Sequence, residues 1–285
     1  MAGSPEGVSP MYKLVLCHRI KTGVGYDEFH EHWRGARSTL IVGLQTALGY
    51  SSYAQTHQTS RLNPVYLSVL SSRSRLVTSL LATKKLPPPA DRLMRSEERW
   101  DVTDEFLFSS KDAMLQALRA EAGGAAAQRL VEDQAPRVRR TEVVISEEFV
   151  AAPDPAPAPK EARTVFFLRR RPEMTREEML GYWGDSHKKT VLSVQSALKY
   201  RAYNQLHVRS APEFAAIVQQ FRGAAAEEFD GVAELCFTSQ WDLVKGIFNP
   251  LTELANFKLV KDETNFIDGG RSALVLGNHY RFPPK

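Results

Sequence analysis

Gln45-Thr46-Ala47-Leu48-Gly49-Tyr50-Ser51-Ser52-Tyr53-Ala54-Gln55-Thr56-His57 and Gln195-Ser196-Ala197-Leu198-Lys199-Tyr200-Arg201-Ala202-Tyr203-Asn204-Gln205-Leu206-His207 are the two stretches that decide the fold. They align without a gap at an offset of 150 residues, with Gln45, Ala47, Leu48, Tyr50, Tyr53, Gln55 and His57 falling on Gln195, Ala197, Leu198, Tyr200, Tyr203, Gln205 and His207. Working outward, the same offset lays Val15 on Val165, Arg19 on Arg169, Glu28 on Glu178 and Trp33 on Trp183. Further on the offset falls to 129, where Asp101, Glu105, Phe108 and Ser110 meet Asp230, Glu234, Phe237 and Ser239, so the first half carries a 21-residue insertion. A repeat of this length reads as a tandem duplication. Between the halves, Ala151-Ala152-Pro153-Asp154-Pro155-Ala156-Pro157-Ala158-Pro159 alternates proline with small residues and has nothing to bury, as a semi-rigid linker does. The expected organisation is a first domain over 11–150 with its insertion at about 59–99, a linker over 151–162, and a second domain over 163–283.

Each half predicts the same order of elements. In the second, Thr164 to Arg169 reads as a strand, and Thr175 with Glu178 three residues later forms a capping box, flanked by Met174 and Met179 as a hydrophobic staple. Met179, Trp183, His187, Val191, Val194 and Leu198 then recur at helical spacing on one face. Strands follow at Tyr200–His207 and Gly231–Ser239, a helical stretch at Trp241–Phe257, and a last strand around Ala273–Tyr280. The order βαββαβ predicts an α+β fold: an antiparallel sheet with helices on one face, ferredoxin-like. Two such copies can pair their sheets within one chain.

Composition sets the class. Hydrophobic residues at 43% and charged residues at 25% are globular values that exclude collagen-like, coiled-coil and wholly disordered chains. No apolar run reaches the ~18 residues of a membrane span, and Met1 to Gly7 has neither the basic region nor the apolar core of a signal peptide, so a cytoplasmic protein without membrane contact is expected. The formal charge of +4 rests on scattered arginines, whose densest runs are Arg169-Arg170-Arg171 and Arg137-Val138-Arg139-Arg140, so no nucleic-acid partner is expected. Cys17 and Cys236 each lie in an apolar run and read as buried thiols. His30-Glu31-His32 places two histidines two residues apart, which do not share a helix face, so no metal site is expected.

The chemistry-bearing residues converge on one strand and one helix. Period two puts Tyr203, Gln205 and His207 on the same strand face, and helical spacing puts His187 on the face of Trp183. If that strand face looks toward the helix, two imidazoles, a phenol and an amide line one cavity suited to proton transfer, with Tyr203 and Gln205 steadying an oxyanion. Asp230 and Glu234 on the next strand are placed to orient an imidazole. Each also admits a structural reading: His187 as a hydrogen-bonded core histidine, the strand as an interface, Trp33 and Trp183 as core anchors, Asp230 as a turn residue. The insertion, with Leu67, Leu70, Leu76, Val77, Leu80 and Leu81 before Pro87-Pro88-Pro89, suggests a short amphipathic helix that covers a sheet edge or closes over a pocket.

The combination of Thr175-Arg-Glu-Glu-Met179, Tyr182-Trp183-Gly184-Asp185-Ser186-His187, Tyr200-Arg201-Ala202-Tyr203-Asn204-Gln205-Leu206-His207 and Asp230-Gly231-Val232-Ala233-Glu234-Leu235 resembles the EthD family of the dimeric α/β-barrel superfamily. The resemblance covers most of 163–282 and, more loosely, 12–149. It implies an intrachain pseudo-dimeric α/β barrel. It also implies a cofactor-independent tailoring enzyme, a dehydratase, cyclase or decarboxylase, working on a hydrophobic, aromatic or polyketide-like small molecule. Relatives in the wider superfamily keep open a cofactor-free or haem-dependent monooxygenase and a non-catalytic binding protein. On this resemblance His187, His207 and Tyr203 are the catalytic candidates, with Gln205, Trp183, Glu234 and Asp230 about the substrate. The first half departs from the pattern: Arg37 stands where the second half has His187, and a guanidinium cannot shuttle protons. The second half is therefore expected to carry the chemistry, while Arg37, Tyr53, Gln55 and His57 bind an anion, share the site or have become structural. Either a monomer with an internal pseudo-dimer or a homodimer satisfies the pattern.

Overall fold

The computed structural model describes residues 10–59, 100–158, 160–222, 229–248 and 252–283. The first half runs β1 (Tyr12–Ile20), α1 (Tyr26–His32), a π-helical turn (Trp33–Arg37), α2 (Ser38–Gly43), α3 (Gln45–Leu48), β2 (Ser52–Gln58), β3 (Val102–Phe108), α4 (Lys111–Arg119), α5 (Glu121–Gln134) and β4 (Val138–Ala152). The second runs β5 (Lys160–Leu168), α6 (Arg176–Tyr182), a π-helical turn (Trp183–His187), α7 (Lys188–Ser193), α8 (Gln195–Leu198), β6 (Ala202–Val208), α9 (Ala215–Gln220), β7 (Gly231–Phe237), α10 (Gln240–Phe248), α11 (Glu253–Glu263) and β8 (Ala273–Phe282), the same order with α9 added among the described residues. The helix expected within the insertion lies outside the described residues.

The eight strands among the described residues are antiparallel and close into a barrel in the order β1-β3-β2-β8-β5-β7-β6-β4. The first half contributes β4-β1-β3-β2 and the second β8-β5-β7-β6, joined at two seams, β2 with β8 and β4 with β6. Registers match between halves: Tyr53 lies opposite Phe106 as Tyr203 lies opposite Leu235, and His18 opposite Val102 as Leu168 lies opposite Gly231. Closure removes every free sheet edge. Gly277 at the β2–β8 seam shows how tightly: a Cβ there would stand 1.7 Å from the His57 carbonyl oxygen. The connection between halves is shorter than expected, because β4 runs through Ala152 and β5 starts at Lys160; ladder hydrogen bonds claim backbone at both ends that composition alone assigns to a linker.

The outer face of each half packs against its helices. In the first, Leu14, Leu16, Tyr53, Phe106 and Phe108 meet Ile41, Leu48, Met114 and Leu130; in the second, Tyr203 and Phe237 meet Val191, Leu198, Leu243 and Leu259. The predicted capping box at Thr175 and Glu178 starts α6, and Met179, Trp183, His187, Val191, Val194 and Leu198 are all buried as the spacing requires. Inside the barrel, one end is filled by Val15, Cys17, Val144, Val165, Phe167, Leu206, Val232 and Val275, while the other end is polar. Among the described residues no helix is long and apolar enough to cross a membrane.

Candidate active site

Tyr203, Gln205 and His207 project from β6 toward the helices, as period two predicts, and the π-helical turn delivers Trp183 to them. A π turn shifts the helical register by one residue and leaves a carbonyl able to take a second donor. Here the Trp183 carbonyl accepts from Gln205 Nε2 at 2.9 Å, and the equivalent Trp33 carbonyl accepts from Gln55 Nε2, also at 2.9 Å. Gly231 makes room for the indole, since a Cβ there would lie 2.3 Å from the Trp183 ring. Tyr203 Oη accepts from Trp183 Nε1 (3.0 Å) and Gln205 Nε2 (2.8 Å). Both of its lone pairs are thus engaged, and among the described residues no acceptor takes its own proton. The His207 ring stacks on Trp183 with centroids 5.0 Å apart, lies 4.4 Å from Phe149, and reaches Gln205 Oε1 at 3.4 Å. Burial, then the positive charges of Arg209 and Lys188, press its pKa down to about 4, so at neutral pH it is an uncharged and weak base.

His187 has a partner that the sequence reading did not name. Its Nδ1 lies 2.6 Å from Asp262 Oδ2 of α11, while Tyr182 Oη donates to Asp262 Oδ1 at 2.7 Å and Asn265 Nδ2 donates to Tyr182 Oη at 3.0 Å. Phe266 packs on the imidazole at 4.8 Å. A carboxylate on Nδ1 fixes the proton there and leaves Nε2 as the basic nitrogen; among the described residues nothing hydrogen-bonds to Nε2. Burial lowers the His187 pKa and Asp262 opposes that shift, so the ring is neutral at pH 7 but stabilised when protonated. Beside it, burial and the Asp262 charge push Glu263 up to about 7. The expected pairing of His187 with His207 is absent: among the described residues no hydrogen bond or ring contact joins them. Both lie on the helix side of the sheet, His207 stacked on Trp183 and His187 packed on Phe266.

The first half fills the corresponding space with charge. Asp104 accepts from Tyr53 Oη (2.7 Å), Arg37 Nε (2.8 Å) and Trp33 Nε1 (3.3 Å), with His18 Nε2 at 3.1 Å. Burial alone would raise this carboxyl, yet the Arg37 guanidinium and the hydrogen bonds from His18 and Tyr53 hold it well below the usual carboxylate range. Arg37, fully buried, also donates to the Leu130 carbonyl, Asp133 and Gln134 at 3.0–3.2 Å. Its charge is balanced inside the protein, which leaves the expected anion-binding role without support. His57 is likewise committed, to Gln55 Oε1 at 2.7 Å and to His30 Nδ1 at 2.8 Å. At the matching positions of the second half, Asp104 becomes Ala233, His18 becomes Leu168, Arg37 becomes His187 and Gln134 becomes Glu263. Asp133, the carboxylate that pairs with Arg37, becomes Asp262. A cation-and-carboxylate pair at matching offsets was the signal that locates Asp262, in a helix that runs six residues past its expected end at Phe257.

Residues 171–270 match the EthD domain family. The match lies wholly within the second half of the chain. No curated protein matches the chain in sequence. Among solved structures, a monooxygenase-like protein of Fusobacterium nucleatum superposes with a TM-score of 0.51 at 7% identity, over 98% of this chain and 95% of its own. An anthrone oxidase-like protein does so with a TM-score of 0.55 at 7% identity, over 96% and 92%. At that identity the likeness is one of fold, the dimeric α/β-barrel type.

The two carboxylates at β7, Glu234 within it and Asp230 just before it, sit elsewhere than expected. Glu234 lies opposite Asn204, not opposite Gln205, so it points through the sheet into the barrel, where it meets Lys13 at 3.0 Å and Arg163 at 3.3 Å. Asp230 accepts from the Arg170 backbone N–H (2.8 Å), Arg176 Nε (3.0 Å) and the Arg170 guanidinium, clamping the loop between β5 and α6. Strand parity therefore removes both from the imidazoles, and Asp262 takes the orienting role. Among the described residues no three His, Cys, Asp or Glu side chains cluster so as to hold a metal ion.

Proposed function

We propose that the EthD domain is a proton-transfer enzyme acting on a hydrophobic, aromatic or polyketide-like small molecule, in an elimination, cyclisation or decarboxylation. The observation that carries this reading is the His187–Asp262 contact at 2.6 Å with Nε2 unengaged. His187 Nε2 takes a proton from the substrate, and Asp262 stabilises the imidazolium that forms. Tyr203, whose phenol keeps its proton because burial raises its pKa, donates it as a hydrogen bond to the oxyanion that develops. Trp183 joins the two groups, lying four residues before His187 and donating to Tyr203. His207 serves here as packing on Trp183. The substrate class comes from the EthD resemblance, and the matching order and registers of the two halves support their origin by duplication, with the first kept as scaffold.

The test is metabolite profiling of a strain lacking the gene, complemented by wild type, His187→Asn or His207→Phe. A precursor should accumulate in the deletion, clear with wild type and with His207→Phe, and persist with His187→Asn. The mass difference between precursor and product then names the reaction. Full complementation by His187→Asn would remove the catalytic role and leave a ligand-binding protein.

A further inference from the structure

The polar end of the barrel interior encloses a cavity of about 310 Å³ on the opposite side of the sheet from the proposed active site. Each charged side chain about it already has an ion-pair partner. Lys13 pairs with Glu234 and Glu148, both at 3.0 Å; Arg163 with Glu105 and Glu161, both at 3.1 Å; Arg281 with Glu161 at 2.8 Å. Buried ion pairs of this kind are commonly less stabilising than apolar packing of equal volume, and the other end of the same barrel is packed with aliphatic side chains. The polar end therefore needs a reason beyond stability.

Three buried atoms facing it lack a hydrogen-bond partner: His279 Nε2, Arg163 Nε and Arg281 Nε. His279 is fully buried, and its tautomer follows from its neighbour. Thr56 gives its hydroxyl proton to Glu105 at 2.7 Å, so it must accept from His279 Nδ1–H at 3.0 Å. His279 Nε2 is then a bare acceptor, and burial beside Arg163 and Arg281 keeps the ring neutral. A buried acceptor left without a donor is unfavourable. The cavity thus presents one orphaned acceptor and two orphaned N–H donors against a background of paired charge. A hydroxyl group supplies both complements and adds no net charge.

We propose that the barrel mouth binds an uncharged, hydroxyl-rich small molecule the size of a six-carbon polyol, hydrogen-bonded to His279 Nε2 and the Arg163 and Arg281 Nε–H groups. The volume falls at the lower end of small-molecule pockets, roughly 300–1,000 Å³. The segment between the halves closes the mouth: Pro153, Asp154 and Pro157 line the cavity, and Arg201 holds the segment by donating to the Ala156 carbonyl (2.7 Å) and Asp154 (3.1 Å). This site is independent of the proposed active site, since β6 and β7 separate the two.

The experiment is a titration of the full chain with myo-inositol and sorbitol, followed by saturation-transfer NMR and by the imidazole ¹⁵N resonances of His279, with glutamate and putrescine as charged comparators. At least one polyol should saturate and move the His279 Nε2 resonance, and Ala54→Leu, which fills the cavity, should weaken binding at least tenfold. Ser52→Phe, at the exposed rim, should weaken it as well and serves if Ala54→Leu fails to fold. Absence of saturation by both polyols, an unmoved His279 signal, unchanged affinity in a folded cavity-filling or rim variant, or tighter binding of either charged comparator overturns the proposal.

Discussion

Acid should loosen this protein through its histidines, and His207 allows the effect to be measured on one residue. Six of the seven, His18, His30, His57, His187, His207 and His279, are held below the ordinary imidazole pKa, chiefly by burial. Unfolded, His207 takes up its proton near pH 6.5; folded, it waits until about pH 4. Between those values the unfolded chain binds one more proton, so stability is complete above pH 6.5 and falls as the pH drops toward 4. At about 1.4 kcal/mol per unit of pKa difference, one such histidine removes roughly 2 kcal/mol between pH 7 and pH 5. The variant is His207→Phe, which keeps a ring against Trp183 and Phe149 but cannot be protonated. With a urea dependence of roughly 3 kcal/mol per molar for a chain of this size, the wild-type midpoint should fall about 0.6 M further than that of the variant over this range. Equal falls in both proteins would refute the reasoning, because His207 would then titrate alike in the folded and unfolded states.

Three other outcomes are expected. Arg37→Ala leaves Asp104 as a buried, uncompensated carboxylate and should destabilise by about 3–5 kcal/mol in urea unfolding, whereas combining it with Asp104→Ala should cost clearly less than the sum of the single changes. Gly277→Ala drives a methyl into the His57 carbonyl at the β2–β8 seam, where only backbone is available to yield; a loss of at least ~3 kcal/mol is expected, beyond ordinary overpacking. Thr175→Ala removes the hydroxyl that accepts from the Glu178 N–H, while the Thr175 N–H to Glu178 bond remains, and should cost about 1 kcal/mol with the barrel intact by circular dichroism.

Several features of the fold and site lay within short range in the sequence and were legible there. Thr175 and Glu178 are three residues apart, Trp183 and His187 four, Tyr203, Gln205 and His207 two, and spacings of that size determine a cap, a helix face and a strand face before any tertiary contact forms. The repeat at offsets of 150 and 129 likewise determined the order of elements twice over, and with it the place where Arg37 replaces His187. Which face of β7 would look into the barrel was not determined locally, because period two separates the faces without saying which is inside; closure of the barrel sent Glu234 to Lys13 and Arg163. The partner of His187 was settled in the same way, since Asp262 arrives from 75 residues away on a helix that packing alone positions. So too was the orphaned acceptor on His279, which exists only because β2, β5 and β8 meet at one end of the barrel. Local spacing encodes what a residue's own turn or strand imposes; the partners that decide protonation and pairing come from strands and helices that only long-range packing brings together.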